Sequence, residues 1–177
     1  MELTSEVIKQ YHLDILKCAK LEQKQKMFLS QVRNNKDFAV LQHRKMWIWI
    51  AQQYAKGTIE CSTELKRKYI KEKFFNVDMY SNCFCCEYAY NNSALHMCSY
   101  CPLVWTNECC CETDESEYNL ISDIYVKYEY LSENIKYFPK KYGTKKFRRK
   151  LEMLKRRLVK VAYKISQLPE RKGTNEG

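Results

Sequence analysis

The sequence is poor in the residues that punctuate loops, with four Gly and three Pro among 177 positions. That excludes a low-complexity or loop-built chain. No apolar run approaches the roughly 18 residues of a membrane span, so no membrane partner is expected. The N-terminal stretch Met1 to Val7 carries Glu2 and Glu6 where a signal peptide would carry base. The expected location is therefore the cytoplasm, where thiols stay reduced. Histidine is scarce as well: His12, His43 and His96 are all there is, and lone helical histidines are usually structural. There is no P-loop, no Gly-rich dinucleotide turn, no Gly-x-Ser-x-Gly and no His-Glu-x-x-His. A zinc deaminase would need His-x-Glu and then Pro-Cys-x-x-Cys. Here His96-Met-Cys98 lacks the glutamate, and Pro102 follows its knuckle instead of preceding it. The expectation is a protein that is not an enzyme.

Cysteine is abundant and concentrated. Eight of the ten cysteines fall between Asn82 and Glu112. Cys83/Cys86 and Cys98/Cys101 are two Cys-x2-Cys knuckles, the spacing at which a tight turn aims two sulfurs at one metal. In a reducing compartment this points to structural zinc held by Cys83, Cys86, Cys98 and Cys101. Other assignments stay open. Cys85 offers a competing Cys83-x-Cys85 knuckle, His96 could replace Cys98, and Cys109, Cys110 or Cys111 could add a ligand or build a second metal. Four thiolates leave no open coordination position for hydrolytic chemistry. Cys18 and Cys61 read as packing residues.

The net charge of +10 is not evenly spread. Lys136 to Lys164 holds thirteen Lys or Arg against Glu152 alone, while the rest of the chain holds eighteen basic and twenty acidic residues. Lys140, Lys141, Lys145, Lys146, Arg148, Arg149, Arg156 and Arg157 are the candidate binding residues. Such a face suits salt-sensitive, sequence-tolerant contact with a nucleic acid. Tyr137, Tyr142 and Phe147 are interleaved with it and could stack on exposed bases. The plainer reading is a solvated helix face, paired in part with the acidic stretch Glu108 to Glu117.

The periodicity predicts a mainly α fold of about five helices with an inserted irregular zinc-knuckle module. Residues 1–75 form an N-terminal helical part, 76–112 the module, 113–168 a C-terminal helical hairpin, and 169–177 a frayed polar tail, all in one body. Helices are predicted near Ser5–Val32, Phe38–Lys56, Thr63–Phe75, Ser116–Tyr137 and Lys145–Leu168. Asp37 is the expected cap of the second, Gly57 its stop, and Thr113 or Asp114 the cap of the fourth. In the first, Ile8, Tyr11, Ile15, Cys18, Leu29 and Val32 share a face. In the second, Val40, His43, Trp47, Ile50 and Tyr54 do. The last carries a ladder of Phe147, Leu151, Leu154, Leu158, Val161, Ile165 and Leu168 at heptad spacing, which could pack on the preceding helix, the first helix or another copy of the chain. Leu103 and Trp105 are expected to dock the module on the helical body.

The strings Cys83-Phe-Cys-Cys86-Glu-Tyr-Ala89 and Cys98-Ser-Tyr-Cys101-Pro-Leu-Val-Trp105 resemble small cysteine-knuckle proteins encoded by phages and prophages of low-GC bacteria. Trp47 to Ala51 and Leu65 to Phe75 are similar to the same setting, so the resemblance spans about Arg44 to Cys111. It implies Cys83, Cys86, Cys98 and Cys101 as ligands, with one of Cys109 to Cys111 as an extra. The triple cysteine departs from the family pattern. The resemblance implies a phage protein in the host cytoplasm and carries no established activity. Three expectations follow. The first is a protein that engages a nucleic acid or a nucleoprotein such as an RNA-guided nuclease. The second is an anti-CRISPR or other anti-defence inhibitor acting by protein contact alone. The third is a self-assembling structural component joined through the last helix.

Overall fold

The computed structural model describes residues 5–74, 77–79, 82–93, 98–106, 111 and 113–172. Among the described residues there are seven helices and no strand beyond one isolated bridge. They are α1 (Ser5–Asn34), α2 (Lys36–Lys56), α3 (Ser62–Phe74), α4 (Phe84–Asn92), α5 (Glu117–Tyr137), α6 (Pro139–Tyr142) and α7 (Lys145–Ser166).

Helix α2 is central. Asn35, not Asp37, caps it: the Asn35 side chain accepts the Phe38 N–H at 3.0 Å, and Asp37 sits inside the first turn. The helix ends at Gly57, whose φ of 97° is open to glycine at little cost, and whose N–H donates to the Tyr54 carbonyl. Val40, His43, Trp47, Ile50 and Tyr54 are all buried, as their spacing predicts. Helix α7 lies along α2 and α5, the two most extensive pairings in the molecule. Its buried residues Leu154, Leu158, Val161, Ala162 and Ile165 join Ile121, Ile124 and Leu131 of α5 in the core. The apolar ladder is thus covered within the chain. Its cover includes α2, a helix that the ladder's own sequence does not point to. Burying a Leu or Val side chain stabilises by about 1.5–3 kcal/mol, so this seam dominates the body.

Helix α1 is about 45 Å long at 1.5 Å per residue, and its described side chains are exposed up to Lys20. Leu13, Ile15, Leu16 and Cys18 are exposed, whereas Val32 is fully buried and Phe28 and Leu29 pack on the core. The predicted inward face therefore holds at Leu29 and Val32 and fails at Ile15 and Cys18. Ile8 and Tyr11 lie outside the described side chains.

Helix α4 falls inside the segment predicted to be irregular. Cys83 is its N-terminal residue outside the helical turn, and Phe84, Cys85, Glu87 and Ala89 are buried. Phe84 enters an aromatic cluster, 5.7 Å from Phe74 and 5.9 Å from Phe28 between ring centroids. Arg33 clamps the buried Glu87 carboxylate from Nε and Nη2, each at 2.8 Å. Burial of a carboxylate is tolerable when it is paired in this way. The helix has no polar–apolar period, because its inward side mixes cysteine and glutamate with Phe84 and Ala89.

The tail differs from expectation. Pro169 to Arg171 is stitched to the cysteine segment: the Val104 N–H donates to Pro169, the Arg171 N–H to Pro102, and Leu103 bridges Glu170. Arg44 of α2 adds an ion pair to Glu170 at 3.0 Å. Residues 173–177 lie outside the described residues. Leu103 and Trp105 are buried and dock the segment on the core, as expected. Helix α5 is capped by Ser116, whose hydroxyl accepts the Asn119 N–H at 3.1 Å, rather than by Thr113 or Asp114.

Candidate nucleic-acid interface and thiol group

The α5–α6–α7 hairpin separates charge from oil. Lys145, Lys146, Arg148, Arg149, Lys150, Arg156, Arg157 and Lys160 of α7 are exposed, as are Lys140 and Lys141 of α6. Among the described residues one cation of the run Lys136 to Lys164 is in an ion pair: Lys164, 2.9 Å from Glu117. Glu117 is buried, and its hydroxyl partner is Thr106. Burial works against its charge, but the hydrogen bonds from Thr106 and Lys164 win and hold the carboxyl below its usual value. The predicted pairing with the acidic stretch therefore exists at Glu117; Asp114 and Glu115 are exposed, and Glu108 and Glu112 lie outside the described residues. The remaining cations form a continuous positive edge. Along it runs a shallow groove of about 760 Å³ lined by Gly143, Lys145, Arg148, Arg149, Glu152, Met153 and Arg156. Glu152 is the one acid on it, and an edge with so large an excess of positive charge raises the local concentration of anions.

The aromatics sort differently from the sequence reading. Tyr142 and Phe147 are half-buried and pack on each other at 5.1 Å, closing the turn between α6 and α7. Tyr137 is 64% exposed, and its neighbour Phe138, passed over in the sequence, is 60% exposed. The one signal for Phe138 was its place in a run free of acid from Asn134 to Leu151.

The thiols gather below α2. None of the eight described cysteines is in a disulfide. Cys83, Cys85 and Cys101 are buried, Cys86 and Cys111 are half-buried, and Cys98 is exposed on the turn 98–100. Cys86 lies close enough to Cys111 and Cys83 for each to shift its titration. Its contact with Cys111 leads in pushing its thiol up to about 12. Its neighbour Cys86 and burial push Cys83 up to about 12 as well. Burial raises Cys85 and Cys101. Of the predicted ligands, Cys83, Cys86 and Cys101 are brought near one another, together with Cys111 and Cys85. His96, Cys109 and Cys110 lie outside the described residues. Sulfur donors of this number suit a thiophilic divalent ion, yet among the described residues no three His, Cys, Asp or Glu side chains are grouped so as to hold one.

His43 is the participant that the sequence did not single out. It is 1% exposed, between Trp47 and Trp105, and its Nδ1 lies 3.5 Å from the Cys83 sulfur. Its only sequence signal was a place on the inward face of α2.

The chain matches no family model, no curated protein and no solved structure. No helix among the described residues is long and apolar enough to cross a membrane.

Proposed function

We propose that the protein is a non-enzymatic binding protein that engages a nucleic acid, or a nucleic-acid-bound complex such as an RNA-guided nuclease, through the cationic edge of α6 and α7. The observation that carries this reading is the lack of counter-charge. Across an edge of about 33 Å, the length of a 22-residue helix, the Lys and Arg side chains face solvent, and only Lys164 has an acidic partner among the described residues. A polyanion would release bound counterions on neutralisation by that edge, and affinity would fall steeply with salt. Electrophoretic mobility shift over a salt series tests it. Reversing Arg148, Arg149, Arg156 and Arg157 to Glu should abolish binding without unfolding the chain. Salt-independent binding, or none, would sink the reading.

Within this proposal the cysteine segment is a structural module loaded with zinc, with Cys83, Cys86 and Cys101 as ligands. Either Cys98 or Cys111 completes the set. Thiolate ligands must shed their protons, and the metal's charge does that at neutral pH. What supports this is the donor chemistry of the two Cys-x2-Cys knuckles. Elemental analysis of purified protein is the check. A phage–host setting follows from the resemblance alone.

The rival is an inhibitor that acts by protein contact. Leu13, Ile15 and Leu16, exposed on α1, favour it. Capture of a nuclease complex that survives digestion of all nucleic acid would support the rival over the cationic edge.

A further inference from the structure

The hairpin's tip carries information that the charge alone does not. Helix α5 ends at Tyr137, and the chain turns through Phe138 into the four-residue helix Pro139–Tyr142. The Phe138 backbone is fixed on both sides. Its N–H donates to Asn134 at 2.9 Å, and its carbonyl accepts from Lys141 at 3.1 Å and Tyr142 at 2.9 Å. Gly143 then closes the turn, its N–H donating to Pro139 at 2.8 Å. A Cβ there would sit 2.4 Å from the Pro139 oxygen, so the tip has no slack. The Tyr142–Phe147 pair braces it from inside. A turn this constrained nevertheless leaves its two adjacent rings, Tyr137 and Phe138, largely in water.

Exposing two large rings forgoes the burial energy that a place in the core would offer. The surroundings narrow what would cover them. Lys136, Lys140 and Lys141 ring the tip, and the Lys136 ammonium lies 5.1 Å from the Tyr137 centroid. The nearest acid in sequence is Glu133, one turn back on α5. An apolar protein surface would have to bury these ammonium groups without partners. A duplex would satisfy the cations but offers its base faces to nothing. A single strand supplies both needs: phosphates for the lysines and unstacked bases for the rings.

We propose that Tyr137 and Phe138 form a base-stacking platform, and that the class of ligand for the cationic edge is single-stranded nucleic acid. This rests on the nucleic-acid reading above. The α7 cations track the phosphate backbone, and the tip holds one or two bases against its rings.

The test is fluorescence anisotropy with labelled oligothymidylate and oligouridylate of about 16 nucleotides, the upper range of a single-strand site. A mixed-sequence duplex of the same length and phosphatidylserine vesicles serve as the other arms. The variants are Tyr137→Ala with Phe138→Ala, the swap Tyr137→Phe with Phe138→Tyr, and the four-Arg reversal. The Ala pair should weaken single-strand binding by at least about tenfold, as expected for loss of stacking. It should leave duplex affinity and the salt slope in place. The aromatic swap should restore single-strand binding. Because both rings are exposed, thermal melts should match wild type, so a loss of binding reads recognition and not folding. Unchanged single-strand affinity in the Ala pair, while the Arg reversal still abolishes it, overturns the platform and leaves the cationic edge standing. Equal losses on duplex and single strand overturn it too. Vesicle binding that depends on the rings, without any oligonucleotide binding, overturns both readings in favour of a lipid surface. No binding to any probe also overturns both.

Discussion

Helix α7 keeps its charges in water and its Leu154, Leu158, Val161 and Ile165 in the core, so each residue type sits where its solvation is cheapest. The segment from Cys83 to Cys111 does the reverse. It buries thiols and a carboxylate against α1 and α2, covers His43 of α2, and turns Tyr90 and Tyr100 outward. The first region is stable by its own pattern and leaves a surface free for a partner. The second has hidden polar groups that require specific neighbours: Arg33 for Glu87, and a metal or protons for the thiols. Function on the hairpin should therefore be separable from folding, and integrity of the cysteine segment should not be.

The largest expected effect strikes the cysteine segment. Stripping metal with a strong chelator, or replacing Cys83 and Cys86 with Ser, should lower Tm by roughly 10 °C or more, on the order of 4 kcal/mol for a chain of this size. Calorimetry reads it, and an identical melt with and without chelator would remove metal from the comparison. The hairpin comes next. The four-Arg reversal should weaken oligonucleotide binding by at least about 100-fold, or about 2.7 kcal/mol, while Tm moves by no more than a few degrees, since these side chains are exposed. A collapse in Tm would show that the two regions are not separable.

Glu117 joins the two regions, because Thr106 of the cysteine segment and Lys164 of α7 both bind it. Glu117→Gln should cost about 1 kcal/mol, discounted because the lysine end is well exposed to solvent. The folded carboxyl titrates below its usual value of 4.5. Its stabilisation is therefore present in full above that pH and is lost as pH falls through the lower folded value. The gap between wild type and Glu117→Gln in denaturant melts should be full at pH 7 and shrink below about pH 4.5. A gap that widened in acid would contradict the pairing. The smallest effect belongs to Cys18, exposed on α1. Cys18→Ser should stay within about 0.5 kcal/mol in the same melts; a larger loss would mean that the outer half of α1 is covered in solution.

Much of the hairpin was legible in advance. A 4-3 ladder flanked by Lys and Arg can be read off consecutive residues, because helical period and charge are local properties. The two edges of α2 were nearly as clear, apart from the choice of Asn35 over Asp37. The cysteine segment was legible in composition and not in arrangement. Its knuckle spacing raises the expectation of sulfur ligation, but the same spacing hid α4, since Cys, Phe and Glu on one helix face show no polar–apolar alternation. Neither His96 nor Cys109 and Cys110 fall within the described residues, so that part of the predicted set has no place in the comparison. Within the aromatic set, Tyr142 and Phe147 exchange base stacking for packing on each other, and Phe138 takes the exposed place.

By itself the sequence determined a mainly helical chain, the extent of the amphipathic α7, and a charge excess confined to one hairpin. These follow from residues a few positions apart, where backbone geometry sets who is a neighbour. Tertiary structure decided that α2 covers the ladder, that His43 meets Cys83 across forty residues of chain, that Cys111 lies close to Cys86, and that Pro169 to Arg171 is sewn to the cysteine segment. Those choices depend on which distant surfaces exclude water together, and no local period carries that information.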